Sequence, residues 1–146
     1  MKVSTKGRYA LRLMLDLAQH SGGFVPLRDI AQRQGISMKY LEQIVSQLCK
    51  AGYLKSIRGP QGGYKLAKSA EEYTAGEILR VTEGSLCPVS CADGEAEPCV
   101  RYSTCEMAPF WAGMREAIDR YVDSVTLADL KNMGRGSENG AAEDTE

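Results

Sequence analysis

Apolar residues recur at helical spacing through the first part of the chain and predict a series of short amphipathic helices. From about residue 5 to residue 20 they form a single stripe, made of Tyr9, Ala10, Leu13, Met14, Leu17 and Ala18. A second helix is predicted over 27–34, ended by Gly35 as a C-cap. A third starts after the N-cap Ser37 and continues to about Lys50. The second and third helices are short and are joined by a turn over 34–37. This arrangement is the helix-turn-helix pattern of DNA-binding proteins.

A different pattern follows the third helix. Two β-prone runs, 53–58 and 64–66, flank the Gly- and Pro-containing turn 59–63 and predict a hairpin. A basic hairpin after a helix-turn-helix is typical of the wing in winged-helix proteins. Thr74 and Glu77 then have the spacing of a capping box and open a fourth helix over about 75–83.

A longer helix is predicted from Pro109, since proline suits the first turn of a helix. Its apolar residues form one broad stripe, made of Phe110, Trp111, Met114, Ile118, Tyr121, Val122 and Val125. A small winged-helix unit has too few apolar residues to bury this stripe as well as its own core. We therefore expect a second copy of the chain to cover the stripe. A short helix follows, and the polar, acidic segment 134–146 is predicted to be disordered.

These elements predict a mainly α fold with a small β wing, in which a winged helix-turn-helix is joined to a long C-terminal dimerisation helix. The predicted organisation has four parts: a DNA-binding domain over 1–84, a cysteine-rich cluster-binding loop over 85–108, the dimerisation helix with a short terminal helix over 109–133, and the tail 134–146.

Charge divides the chain in two. Residues 1–68 carry 12 Lys and Arg against 3 Asp and Glu, whereas residues 69–146 carry 6 against 16. The net charges of the two parts are +9 and −10, which indicates a polyanion-binding domain joined to a sensing or assembly region. The alternative is that the charged residues only form solvated surfaces and are divided between the two parts by chance. No apolar run approaches the roughly 20 residues of a membrane span. No apolar h-region follows the N-terminal basic residues, so we expect a cytoplasmic protein without a membrane partner.

Four of the five cysteines, Cys87, Cys91, Cys99 and Cys105, lie within 19 residues of one another in a segment rich in Gly, Pro, Asp and Glu. Clustered cysteines of cytoplasmic proteins are more often ligands or redox thiols than structural disulfides. Soft thiolates suit an iron–sulfur cluster, zinc or copper(I). No gap is the C-x2-C of common zinc ribbons, which favours iron–sulfur over zinc and leaves metal-free thiol chemistry as the other alternative. Cys49 is expected to be a buried small hydrophobe.

Polar residues on the third helix, at the turn of the wing and near two helix starts have the chemistry of a DNA interface. Gln43 suits a bidentate contact with adenine, and Glu42 suits cytosine N4. Arg58 at the wing tip suits a narrow minor groove, where negative potential is enhanced. The predicted DNA-binding residues are Arg8, Arg28, Ser37, Lys39, Tyr40, Glu42, Gln43, Arg58, Gly59 and Gly62.

Three motifs resemble a known family: Lys-Gly-Arg-Tyr-Ala at 6–10, Gln-Gly-Ile-Ser with Tyr-Leu-Glu-Gln within 34–43, and Arg-Gly-Pro-Gln-Gly-Gly-Tyr at 58–64. Over roughly residues 1–130 the chain closely resembles the iron–sulfur cluster regulators (IscR-like proteins), which are winged-helix transcription factors of the Rrf type. The resemblance implies a homodimer without enzyme activity that acts on a double-stranded DNA operator as a repressor or an activator. It also implies a cluster in the loop after the fourth helix, donated by the iron–sulfur assembly machinery.

The cysteines match the family pattern only in part. That pattern is C-x5-C-x5-C followed, after two residues, by histidine, and Cys91, Cys99 and Cys105 match its three cysteines. The first gap is seven residues rather than five, and Ala108 stands at the histidine position.

The unmatched Cys87 is therefore the predicted fourth ligand, and Glu106 is the alternative. We expect a 2Fe-2S cluster, with 4Fe-4S as the alternative. Two other functions are weighed: a cluster-free regulator of cysteine metabolism from the same family, and a thiol or iron–sulfur oxidoreductase. The chain has neither a C-x-x-C motif nor a nucleotide-binding glycine motif, which argues against the oxidoreductase.

Overall fold

The computed structural model describes residues 2–141, and the side chains of residues 2–136. This part of the chain forms helices α1 (Thr5–Gln19), α2 (Leu27–Gln34), α3 (Met38–Lys50), α4 (Ala75–Glu83), α5 (Ala108–Ser124) and α6 (Leu127–Ala141). Strands β1 (Leu54–Ile57) and β2 (Gly63–Leu66) form one antiparallel hairpin between α3 and α4. Short 3₁₀ turns lie at Ala70–Glu72 and Ser90–Ala92. The mainly α class with a small β wing is therefore confirmed.

The core lies among the first four helices, where the apolar stripes predicted from the sequence are the buried faces. Leu13 and Met14 of α1 and Leu41 of α3 are fully buried in one cluster. Leu127, at the start of α6, is also fully buried in this cluster, so the C-terminal helix returns to the core formed by residues of the first four helices. Within residues 2–141, none of the helices combines the length and the apolar character needed to cross a lipid bilayer.

Local capping interactions set the helix boundaries as the sequence predicted. The Ser37 hydroxyl accepts a hydrogen bond from the Tyr40 backbone N–H at 3.2 Å. Thr74 and Glu77 form the predicted capping box, in which each side chain accepts from the other residue's backbone N–H. Gly35 ends α2 in the left-handed region at φ 65°, which glycine adopts without the steric cost paid by other residues.

An ion pair between a buried carboxylate and an exposed arginine joins α1 to α2. Asp16 is 1% exposed within the apolar stripe of α1. Arg33 donates from Nη2 to one carboxylate oxygen at 2.7 Å and from Nε to the other at 3.0 Å, and Gln34 adds a bond at 2.9 Å. Burial raises the pKa of Asp16, but these hydrogen bonds outweigh burial and lower it overall. Because α2 and α3 form the helix-turn-helix, this pair fixes that motif against α1.

The structure departs from the sequence prediction at two places near the C-terminus. Helix α6 extends to Ala141, so 134–141 is helical rather than disordered, while 142–146 lies outside the described residues. The helix starts from buried Leu127 and from reciprocal hydrogen bonds between Thr126 and Asp129, and continuing a nucleated helix costs little per residue. Val125 belongs to the core of the single chain, because it is buried and its carbonyl accepts from Ala75 N at 2.8 Å.

Candidate DNA interface and cysteine loop

Helix α3 presents a polar face to solvent. Ser37, Lys39, Glu42 and Gln43 are exposed, whereas the opposite face is buried. Tyr40 is half-buried and packs edge-to-face on Tyr9 of α1, with ring centroids 5.6 Å apart. The exposed set can therefore enter a major groove while the buried face holds the helix on the core.

A groove of about 450 Å³ connects the start of α2 to the wing. Its lining contains four of the predicted DNA-binding residues, Arg28, Arg58, Gly59 and Gly62. Gly59 has a φ of 113°, and a Cβ at Gly62 would collide with the backbone carbonyls of the turn. The wing tip thus requires glycine at both positions, and it presents the exposed Arg58 beside the helix-turn-helix.

Two apolar residues of this groove were not predicted as contacts. Met38 is 41% exposed at the start of α3, and Ile57 is 51% exposed at the end of β1. Exposed apolar side chains between basic ones suit the methyl group of thymine. One sequence signal could have found Ile57, since it is an apolar residue directly before the polar wing turn. In the structure it pairs with Gly63, which has no side chain to cover it.

Arg8 lies on α1, whose start is held by the end of α4. Its guanidinium donates to the Thr5 hydroxyl at 3.0 Å and is otherwise exposed. Glu83, the last residue of α4, accepts hydrogen bonds from the backbone N–H and the hydroxyl of Ser4. The Glu83 carboxylate also occupies the space that a Cβ at Gly7 would need. The basic N-terminal segment is therefore attached to the residue that precedes the cysteine loop.

The cysteine loop has little anchorage of its own. No residue between 85 and 107 is buried; Cys87 and Cys91 are half-buried, while Cys99 and Cys105 are exposed. All five cysteines are free thiols. Across the described residues 2–141, no three His, Cys, Asp or Glu side chains are arranged to hold a metal ion, so the structure does not bring the four predicted ligands together. The runner-up ligand Glu106 is exposed on the same loop.

The donor set nevertheless fits an iron–sulfur cluster chemically. Four unpaired thiols on one loop match the ligand type and number that such clusters require. Cys49 differs from them because it packs against the core on α3, where burial raises the pKa of its thiol. Thiolates are the ligating form, so Cys49 is the least suited of the five to bind metal.

Helix α5 is attached to α4 by ion pairs. Arg80 of α4 donates to both carboxylate oxygens of Asp123, at 2.6 and 3.1 Å, and to Asp119 at 2.9 Å. The hydrogen bond with Asp123 and the other pairings raise the pKa of Arg80. On the same helix, Arg115 donates to the Ala92 carbonyl at 2.7 Å, so α5 contacts both the DNA-binding unit and the cysteine loop.

No residue of α5 is fully buried in the single chain. Ile118 and Val122 line a pocket with Leu79 of α4. Other members of the predicted stripe face solvent, with Phe110 58% and Tyr121 65% exposed. Exposed aromatic side chains on one helix face indicate an interaction surface.

Comparison with known proteins places this arrangement among transcription regulators. Residues 3–133 match the Rrf2 family, described as iron-dependent transcriptional regulator. The regulator CymR of Bacillus subtilis is 44% identical over 94% of this chain and 95% of its own. Its solved structure, that of the global cysteine regulator of B. subtilis, superposes with a TM-score of 0.75 over 91% of this chain and 98% of that one.

IscR proteins are similar at almost the same level. IscR of Serratia proteamaculans is 42% identical over 90% of this chain and 80% of its own. The solved structure of T. potens IscR has a TM-score of 0.71 at 43% identity, over 92% of this chain and 88% of that one. Overall identity therefore does not separate the two kinds of relative.

Proposed function

Since the chain belongs to the Rrf2 family of transcriptional regulators, we propose that it is a homodimer that binds a DNA operator and senses iron–sulfur cluster status. Helix α3 and the wing would contact DNA, α5 would pair the two copies, and the loop between α4 and α5 would hold the cluster. The observation that carries the sensing role is the set of four free thiols on a loop without buried side chains.

The DNA-binding proposal rests on charge and exposure. The polar face of α3 and the groove that holds Arg28 and Arg58 lie in the half of the chain with a net charge of +9. Phosphate contacts from this half supply affinity, whereas side chains such as Gln43 supply sequence preference.

Gln43→Ala and Arg58→Ala are expected to weaken operator binding in different ways. Loss of a base-contacting glutamine should cost about 1–3 kcal/mol at one base position and relax the preference there. Loss of Arg58 should weaken binding most at operators with a narrow A/T minor groove. Footprinting and titration on a matched set of operators test this, with Lys50→Ala on the same helix as a control. If both variants keep the parent's footprint and affinities, α3 and the wing are not the DNA interface.

The dimer proposal rests on the exposed aromatic stripe of α5. Met114→Asp is expected to raise the dimer dissociation constant about a hundredfold or more, or about 3 kcal/mol, because it buries an unpaired charge. Ala112→Asp is the matched control: it adds the same charge on the face that also carries Glu116, Asp119 and Asp123. Sedimentation velocity measures the monomer–dimer equilibrium of both variants, and only Met114→Asp should shift it toward the monomer. A parent protein that is monomeric at micromolar concentration, or equal effects of both variants, would count against this interface.

The cluster proposal assigns Cys91, Cys99 and Cys105 as ligands, with Cys87 as the fourth. When bound, a cluster would supply redox activity and sensitivity to iron supply. Ligation would order the loop, which carries Asp93, Glu95 and Glu97 between its cysteines. Left free, these carboxylates would repel DNA phosphates, so ordering them is one way in which cluster occupancy could change operator binding.

Visible absorbance of anaerobically purified protein, with iron and acid-labile sulfide assays, tests the cluster. We expect coloured protein with iron and sulfide in stoichiometric amounts per protomer, and two of each for the 2Fe-2S type. Colourless protein that takes up neither element on reconstitution would contradict the proposal while leaving DNA binding intact.

A cluster-free regulator of cysteine metabolism is the second candidate. One observation favours it: CymR, whose structure is that of a global cysteine regulator, is as similar to this chain as IscR is. The same absorbance and iron assays separate the two candidates, because only the first predicts a chromophore.

A further inference from the structure

A basic cavity lies away from both the predicted DNA contacts and the cysteine loop. It has a volume of about 480 Å³ and is bounded by the end of α1, the base of the wing, the turn at Ala70–Glu72 and the start of α6. Four lysines and one glutamate line it, which gives the lining a net charge of +3. These charged residues are Lys55, Lys65, Lys68, Lys131 and Glu71. None of the predicted DNA-binding residues or cysteines lines this cavity.

Two of the lysines are forced together by the hairpin. Lys55 and Lys65 are direct partners across β1 and β2, so their side chains leave the same face of the sheet. Like charges at directly opposed positions destabilise a strand pair.

The described side chains leave the charges of this cluster largely uncompensated. Among residues 2–136, none of the four lysines has a carboxylate partner within ion-pair distance. Lys131 donates to the Ala18 carbonyl at 3.4 Å, and Lys65 lies 4.7 Å above the ring of Phe24. Lys68 is partly compensated, since it lies near the Glu72 carboxylate and 5.9 Å from the centre of the Tyr73 ring.

We infer that this cavity binds a small anion with at least two negative charges, of the phosphate or polyphosphate class. Its volume is within the range of small-molecule sites, and lysine ammonium groups bind phosphate as mobile point charges. The anion would neutralise the opposed pair Lys55 and Lys65 and connect both strands of the wing to Lys131 of α6. The inference goes beyond the proposed function, since it adds an effector site that needs neither the cluster nor the operator.

A small anion fits this site better than DNA does. The cavity is concave and is closed on one side by α1 and on another by α6, neither of which contributes a predicted DNA contact to its lining. A DNA backbone would need those lysines on a surface continuous with α3 or the wing tip. The lining instead comes from the opposite end of the hairpin, where Lys55 follows Leu54 and Lys65 precedes Leu66.

Calorimetric titration with inorganic pyrophosphate, at ionic strength held constant with sodium chloride, tests the site. We expect one pyrophosphate per protomer, and at least tenfold weaker binding by the double variant Lys65→Gln, Lys68→Gln. Lys39→Gln on α3 is the matched control: it removes one positive charge elsewhere and should leave pyrophosphate binding unchanged while weakening operator binding.

Thermal unfolding supplies a second readout. Pyrophosphate should raise the melting temperature of the parent, because a ligand that binds only the folded state stabilises it. Lys55→Gln should melt no lower than the parent without pyrophosphate, since it removes the like charge opposite Lys65, and should lose most of the ligand-induced rise.

The inference is overturned if pyrophosphate neither binds nor stabilises the parent, or if Lys39→Gln weakens pyrophosphate binding as much as the double variant does. It is also overturned if duplex operator displaces pyrophosphate and the double variant binds operator as poorly as Lys39→Gln does. In that last case the cluster is part of the DNA interface.

Discussion

Asp16→Ala is expected to destabilise the fold by about 2 kcal/mol, because it removes the hydrogen bonds by which Arg33 and Gln34 of α2 hold the buried Asp16 carboxylate of α1. The Arg33 side chain that remains is 35% exposed, so water solvates its charge and the larger cost of a buried unpaired ion does not apply. Urea unfolding followed by circular dichroism measures the change. Asp29→Ala on α2 is the matched control, because Asp29 lies 3.8 Å from the exposed Arg28 and acts on Arg33 through charge without a hydrogen bond, so its loss should change stability by less than about 1 kcal/mol.

The same carboxylate should make stability depend on pH on the acid side. Its pKa is lowered in the folded state from the ordinary value of 3.8, so the unfolded chain binds the proton more tightly. The stabilisation from Asp16 is therefore fully present above about pH 4 and is lost as the pH falls through the lower folded-state pKa. Asp16→Asn should flatten this part of the profile, while Asp29→Asn should leave it as in the parent. Equal acid sensitivity of the parent and Asp16→Asn would show that Arg33 does not stabilise the ionised form.

The largest expected spectroscopic effect is loss of the chromophore in Cys99→Ala or Cys105→Ala. Both residues match the family pattern, and losing either leaves only two of the three matched cysteines to hold the cluster. Cys87→Ala should instead give a weaker, shifted or oxygen-sensitive chromophore, because three ligands remain and one coordination position opens. Cys49→Ala is the control and should leave the spectrum unchanged, since that thiol packs on the core.

The outcomes of this series distinguish the possible ligand sets. If Cys87→Ala keeps the parent's spectrum and cluster lifetime, the fourth ligand lies elsewhere and Glu106→Ala is the next variant to examine. If Cys99→Ala keeps the chromophore, the assignment based on the family pattern is wrong. Reduction potentials add a further measure, because a fourth thiolate should hold the potential below that of a histidine-ligated site.

Much of the DNA-binding unit was predictable because local signals and packing agree there. The apolar stripes of α1 and α3 became buried faces, and Ser37 and Thr74 cap helices at the predicted positions. Each of these depends on residues a few positions apart, so the sequence displays them directly. The exposed set on α3 follows from the same periodicity.

The features that sequence analysis missed depend on residues far apart in the chain. Asp16 pairs with Arg33 only because α1 packs on α2, and Lys131 joins Lys55 only because α6 returns to the core. The polar, acidic composition of 134–146 predicted disorder, yet buried Leu127 secures the start of a helix that continues to Ala141. The arrangement of the cysteines could not be derived either, because no buried side chain in the loop fixes it.

The chain runs from Ala75 through α4, the cysteine loop and α5, and at Val125 it returns to the start of α4. The ends of this segment are joined by the hydrogen bond from Ala75 N to the Val125 carbonyl at 2.8 Å and by the bond from Leu127 N to the Tyr73 carbonyl at 2.9 Å. Doubling the length of a flexible loop with fixed ends costs only about 0.6 kcal/mol of closure entropy. Insertions within the cysteine loop, which joins α4 to α5 in this segment, should therefore cost the rest of the fold little. Cys91 and Cys99 are separated by seven residues, two more than in the family pattern. A loop whose flanking helices are held at both ends tolerates this kind of length variation.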